Sequence, residues 1–515
     1  MFSGGITVKK SNYISFFILL FITLVAISTL IILIGRDRRK QREAEEASQQ
    51  NPAPVAATVT AAPSPTVVPE PTQAPEQKTV QLFPAYVLEG EKKKYGYIDK
   101  TGNFVISPAF DLATAFSGGA ATVTLGNQNL AIDTEGKIIY SNNTSLSEFR
   151  NGAAVYADNS SGSTLYGYID TGGKVMIEAR FNFAGNFRSD NTAYVITSDG
   201  YYALIDKSGN IIETYIKAEN IDINASVEDG YIIYSEVVSK ADKTYFKYGI
   251  KNLKGEVLVK PEYSNIRYLG EGYFAVTRPD LEYPNSCYAP EALMNAVGKL
   301  ITDYRFYNIS NIYNGVMSAC NDYSTFFIDT EGNRMASLPE FAGIGSLKLY
   351  VDDIIEADID GQKLYCNSKK IIFWQESQSY ELAEGIVVRT KKFRPTRLVL
   401  VNYPFIEGLD DSDVEASINV ALESIFTEPR KDKSALEGIS AEDKFSVRLL
   451  GNLLIIERSG YDYSYGAAHG NPFKFYYHID IRTGSFYTFK ELFREDMDYV
   501  SKINEMISVE INKNL

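Results

Sequence analysis

Histidine is scarce in this chain: among 515 residues only His469 and His478 occur, beside three cysteines and one tryptophan. Most hydrolase and metal arrangements lean on imidazole, and no H-E-x-x-H, G-x-S-x-G or P-loop pattern occurs. Cys287, Cys320 and Cys366 lie far apart, without C-x-x-C spacing. An odd, scattered set argues against both a disulfide framework and a zinc site, and the three read as small buried hydrophobes. A basic excess is lacking too. The 51 Lys and Arg against 65 Asp and Glu give a formal charge of −14, which argues against nucleic acid as a partner. Tyrosine (36), phenylalanine (28) and glycine (37) are plentiful, as in proteins built from many short strands joined by turns.

Residues 13–34 form an uncharged apolar run, YISFFILLFITLVAISTLIILI. As a helix it would be about 33 Å long, enough for a bilayer core. A cleaved signal peptide has a shorter apolar region of about 7–15 residues, so the run reads as a retained transmembrane helix after a short tail, 1–12. Lys9 and Lys10 precede it; Arg36, Arg38, Arg39, Lys40 and Arg42 follow. That count favours a cytoplasmic C-terminal side. The rest of the linker (35–80) is rich in Pro, Thr and Ala, which suits a semi-rigid stalk and favours an exterior C-terminal side. The expectation adopted is a single-pass cell-membrane protein with its bulk outside.

From about residue 81 a phrase repeats: an apolar residue, then Asp or Asn-x-x-Gly. It occurs at Asp99 and Gly102, Asp133 and Gly136, Asp170 and Gly173, Asp206 and Gly209, and Asp329 and Gly332. Worn copies stand at Asn252 and Gly255 and at Asn295 and Gly298, with a further trace at Asn367. The steps are 34, 37, 36, 46, 43 and 34 residues, a period that points to a propeller or solenoid. The carboxylate of such a turn accepts from nearby backbone N–H groups, and the glycine takes the positive φ. Three short strands per unit fit the spacing, and one hairpin cannot bury its apolar face without neighbours. The longer steps imply surface insertions, one of them around Pro279 to Pro290.

Two segments carry a fuller pattern. Tyr95-Gly96-Tyr97-Ile98-Asp99 is followed by Ser107-Pro108-Ala109-Phe110, and Tyr248-Gly249-Ile250 by Lys260-Pro261-Glu262-Tyr263. The pattern over about 86–375 resembles the WG (KWG) repeat family, with Tyr in place of Trp. That resemblance implies a β-repeat array and no common catalytic activity.

From about Ser379 the character changes to a small α+β domain (379–515). Val399–Pro404 reads as a strand ending at proline, and 410–426 as a helix capped by Asp410 or Ser412, with Val414, Ile418, Leu422 and Ile425 as its stripe. Phe445–Glu457 and Phe473–Ile481 read as strands around a Tyr/Gly-rich loop at 461–471, and Met497–Ile511 as a closing amphipathic helix. Tyr403-Pro404-x-Ile406-x-Gly408, Ser417-Ile418-Asn419, Gly466-Ala467-Ala468-His469-Gly470-Asn471 and Asp480-Ile481-x-Thr483-Gly484 occur in order. The series resembles the DUF3298 domain with its DUF4163 leader, found in RsiV-like and PdaC-like envelope proteins. That family's final strands have no counterpart before Leu515.

The fold expectation is therefore mainly β: a tandem hairpin array over 81–378 plus the α+β domain. No cofactor or metal set is expected, and no catalytic residue. Tyr463, Tyr465, His469 and Asn471 form a candidate binding loop, while the repeat tyrosines read as core rather than as sugar platforms. The expected role is non-catalytic binding or scaffolding, toward a cell-wall polymer or an envelope protein. The alternatives are an anti-sigma-like sensor, disfavoured by the short tail before the span, and a wall hydrolase, which needs two converging carboxylates.

Overall fold

The computed structural model describes residues 81–89, 92–222, 225–240, 243–278 and 289–514. The calls on the tail, the 13–34 span and the stalk lie outside these residues, as does Cys287. Among the described residues no helix is long and apolar enough to cross a membrane.

Residues 78–515 form one compact unit. Among the described residues it contains eight antiparallel sheets of three or four strands, then one sheet of seven. The eight small sheets, here blades 1 to 8, cover 83–110, 112–142, 153–181, 183–217, 226–263, 265–295, 317–342 and 345–375. Each blade packs on the next through its own apolar cluster. Tyr97 and Ile106 meet Val123 and Ile132 between blades 1 and 2. Tyr168 and Ile177 meet Val195 and Ile205 between blades 3 and 4, and the other junctions repeat the pattern. The last cluster joins Phe83, Ala85 and Ile98 of blade 1 to Tyr350, Ile354 and Tyr365 of blade 8. The Tyr365 hydroxyl donates to the Pro84 carbonyl at 2.9 Å. The series thus closes into a ring, the arrangement of a propeller rather than an open solenoid.

Three strands per unit undercounts the blades. Four of them carry a fourth strand, whose inner member is as short as Leu112–Ala113 or Phe183–Ala184. Pieces of two residues carry no readable period. A side chain also helps the inner segment pair: Thr114, Ser147 and Ser310 each accept, through the hydroxyl, a backbone N–H of the neighbouring strand at 2.8–3.0 Å. The long fourth step, of 46 residues, holds an extended hairpin, Tyr231–Lys240 with Lys243–Asn252. Of the insertion expected around Pro279 to Pro290, residues 279–288 lie outside the described residues.

The seven-stranded sheet runs from Ser379–Ala383 to Phe486–Tyr487. Helix α1 (Ser412–Thr427) packs on one face, burying Ile418, Leu422 and Phe426 against Val388, Val401, Leu454, Ile456 and Ile479. Its N-cap is Asp411, between the two caps expected, and its carboxylate accepts from the N–H groups of Asp413 and Val414. The strand at Val399 does not stop at Pro404 but runs to Glu407. Its parallel partner pairs only with Val399–Val401, so Pro404 removes no bond on that side. Beyond it the helix takes over: Asn419 accepts from the Ile406 N–H at 2.7 Å and donates to the Ile406 carbonyl at 2.8 Å. The segment read as one strand at 445–457 is two, Ile439–Leu450 and Leu453–Ser464, which turn at Gly451 with φ of 61°. Helix α2 (Tyr499–Asn514) follows.

Candidate functional site

The repeat motif is a structural joint. In each of the eight turns the Asp or Asn side-chain oxygen accepts from the backbone N–H four residues on, as Asp99 does from Asn103 at 3.2 Å and Asp329 from Asn333 at 2.8 Å. The Asn367 turn completes the set, with Lys370 at φ 59° where the others have glycine.

The glycine inside the aromatic phrase has a different task. Tyr95 pairs with Phe110 and Tyr97 with Ile106, so the outer strand bulges between them. A Cβ on Gly96 would lie 2.3 Å from the Ile106 carbonyl oxygen and 2.7 Å from the Pro108 nitrogen. Gly167 and Gly249 face the same bulge in blades 3 and 5. Proline suits the bulge because it lacks the N–H the ladder would otherwise use. The second aromatic is fully buried and reaches the next blade: Tyr97 and Tyr168 donate to the carbonyls of Thr114 and Gly185 at 2.9 and 2.7 Å. Burial also pushes the Cys366 thiol up to about 11 and the Cys320 thiol upward, in keeping with a packing role for both.

On the other face of the ring the blades meet the C-terminal sheet. The hairpin between Ile386–Thr396 and Val399–Glu407 reaches loops of blades 7 and 8. Lys392 donates to the Asp360 carbonyl at 2.9 Å, Arg394 pairs with the Asp360 carboxylate, and Arg397 lies 3.7 Å from Asp322. Burial pulls the Lys392 ammonium down, and the charge of Asp360 opposes that.

Beside this contact lies a cleft of about 520 Å³, lined by Phe246 and Tyr248 of blade 5, Asn265, Arg267 and Glu291 of blade 6, Tyr307, Asn308, and Arg397 of the C-terminal domain. The volume falls in the range of small-ligand sites. Arg267 donates to both oxygens of Glu291, at 2.9 and 3.1 Å, and Glu291 also accepts the Ile309 N–H at 2.8 Å. The Arg397 guanidinium sits 3.7 Å from the centre of the Tyr307 ring, a cation–π contact. The cleft so offers aromatic rings, amide groups and guanidiniums, and one carboxylate, Glu291, already engaged by Arg267.

None of Tyr463, Tyr465, His469 and Asn471 lines this cleft. The strand at 453 continues through Tyr463 to Ser464, and Asn471 pairs with Asp462 on the neighbouring strand. Tyr463 donates to the Ala467 carbonyl at 3.0 Å, the Tyr465 N–H donates to the Gly438 carbonyl at 2.8 Å, and His469 stands exposed. Beneath the loop is a buried charge cluster that the sequence reading missed. Asp443, fully buried, is bridged by Arg430 at 2.8 Å and by Arg458, and Arg430 also binds Asp462 at 2.6 Å. Among the described residues no group of three or more His, Cys, Asp or Glu side chains could hold a metal ion. The cleft residues were missed as well; the available signal was Arg394-Pro395-Thr396-Arg397, a basic turn between two apolar strands.

The segments 95–128, 166–201 and 248–278 match the family described as WG containing repeat. These are the stretches that keep Gly96, Gly167 and Gly249. No curated protein matches the chain. Solved structures similar to it include a eukaryotic initiation factor, at 12% identity over 64% of this chain and 93% of that one, TM-score 0.34. BamB from Moraxella catarrhalis matches at 11% identity over 61% and 94%, TM-score 0.21. A DUF3298 family protein from Pseudomonas aeruginosa PAO1 matches at 16% identity over 26% of this chain and 66% of that one, TM-score 0.20. The chain carries WG repeats at three places in a mainly β structure.

Proposed function

We propose that this is a membrane-anchored, extracytoplasmic binding protein that holds a cell-wall polymer or an envelope protein without transforming it. The apolar run at 13–34 and the stalk after it motivate the anchor and the exterior placement. The observation that carries the binding role is the cleft where the ring meets the C-terminal sheet, because two domains contribute side chains to it. Its rings, amides and guanidiniums suit recognition. A hydrolase of the two-carboxylate kind would need a second acid about 5–10 Å from Glu291 in the same cleft, and among the described residues the lining provides none.

The test is a pulldown with the compact fragment Lys78–Leu515 on isolated wall polymer and on envelope extract. Retention of a defined component supports the role; no retention on either removes it. Protease added to intact cells tests the placement. Loss of the C-terminal part only after permeabilisation would reverse it.

A further inference from the structure

The side chains around the cleft also specify a class of ligand. The chain has a formal charge of −14, so a polyanion approaches against the long-range field. The two guanidiniums that could compensate at short range are already matched: Arg267 by Glu291 and Arg397 by Asp322. A polyphosphate or polycarboxylate would have to displace a carboxylate at each. A hydroxyl-rich, uncharged ligand need displace neither, because Arg267 engages Glu291 through one guanidinium nitrogen and a guanidinium carries five N–H donors.

Aromatic groups flank the polar ones. Phe246, 42% exposed, and the half-buried Tyr248 border the cleft from blade 5, and the half-buried Tyr307, under the Arg397 guanidinium, borders it from the segment before blade 7. Asn265 stands exposed at its wall. A pyranose ring presents a C–H face and a rim of hydroxyls, and aromatic faces beside mixed donors and acceptors satisfy both.

We infer that the cleft binds a short neutral segment of a sugar chain, with rings against Phe246 and Tyr248 and hydroxyls on the Arg267–Glu291 pair. This rests on the binding role proposed above and names its ligand class. Arg397 belongs to the C-terminal domain, so a bound saccharide touches ring and domain together and strengthens their contact.

The test titrates the Lys78–Leu515 fragment with neutral N-acetylated amino-sugar oligomers and, separately, with a linear polyglycerol phosphate, by calorimetry at low and high salt. The neutral oligomer is expected to bind with little salt dependence, and the polyanion weakly or not at all. Arg267→Met and Phe246→Ala are expected each to weaken the neutral oligomer about tenfold, with circular dichroism and melting checking that each variant stays folded. If a variant fails to fold, Asn265→Ala at the exposed wall reads the same site, with a several-fold loss expected. Polyanion binding that falls steeply with salt, alongside no response to neutral sugars, overturns the ligand class. If wall polymer is retained but the variants retain it equally, the cleft assignment fails while the binding role stands. If neither sugar nor wall polymer is retained, the role itself fails.

Discussion

At the scale of single residues, two glycines with the same backbone separate two kinds of constraint. Gly102 and Gly255 both have φ of 85° in equivalent turns. A Cβ on Gly255 would meet nothing within 4 Å, whereas one on Gly102 would lie 1.9 Å from the Phe373 carbonyl oxygen of blade 8. Gly255→Ala should therefore cost only the left-handed strain, about 1 kcal/mol. Gly102→Ala adds a backbone collision across the junction of the first and last blades and should cost at least about twice as much. Urea unfolding of the two variants checks this, and equal losses would contradict it. The repeated phrase is therefore not one constraint but several: a side chain that closes the turn, a glycine that permits it, and a second glycine that lets a bulged strand come close.

At the scale of elements, the C-terminal domain shows how a helix can complete a strand. After Val401 the strand loses its parallel neighbour, and Asn419 of α1 supplies both hydrogen bonds that Ile406 would have exchanged with it. Asn419 is 7% exposed, so water cannot easily replace them. Asn419→Ala should destabilise the domain by about 2–4 kcal/mol, from two buried backbone groups left unpaired. Hydrogen exchange would show the change at Ile406 first, and an unchanged exchange rate there would refute the account. Ser417-Ile418-Asn419 was visible in the sequence as part of a resemblance. Its physical role was not, because the partner is a backbone pair that leaves no trace in residue type.

At the scale of the whole molecule, stability depends on the seam. An array of blades in contact only with neighbours behaves as a chain of nearest-neighbour interfaces, and closure adds one interface between residues far apart in sequence. Phe83, 1% exposed, stands at that seam against Tyr350 and Tyr365, at ring-centroid distances of 5.2 and 5.4 Å. Phe187, 2% exposed, fills a comparable place between blades 3 and 4. Either Phe→Ala change should cost about 3–5 kcal/mol. Only Phe83→Ala should raise hydrogen exchange in both the first and the last blade, and a response confined to blade 1 would mean that the seam does not couple them.

The sequence by itself determined what depends on neighbours within about a turn or a strand. The Asp-x-x-Gly joints, their period, the apolar face of α1 and the burial of Tyr97 and Tyr168 all follow from local chemistry and spacing. The inner strands escaped because two residues cannot display a period, and Pro404 misled because whether a proline breaks a strand depends on which side has a partner. Ring closure, the Asp443 charge cluster and the cleft were decided only by the tertiary structure. Ring closure and the cleft join groups that the chain separates widely, as Pro84 from Tyr365 and Arg267 from Arg397, and the charge cluster joins groups on different elements. Such pairings are selected by which surfaces remain to be buried once the local pieces have formed.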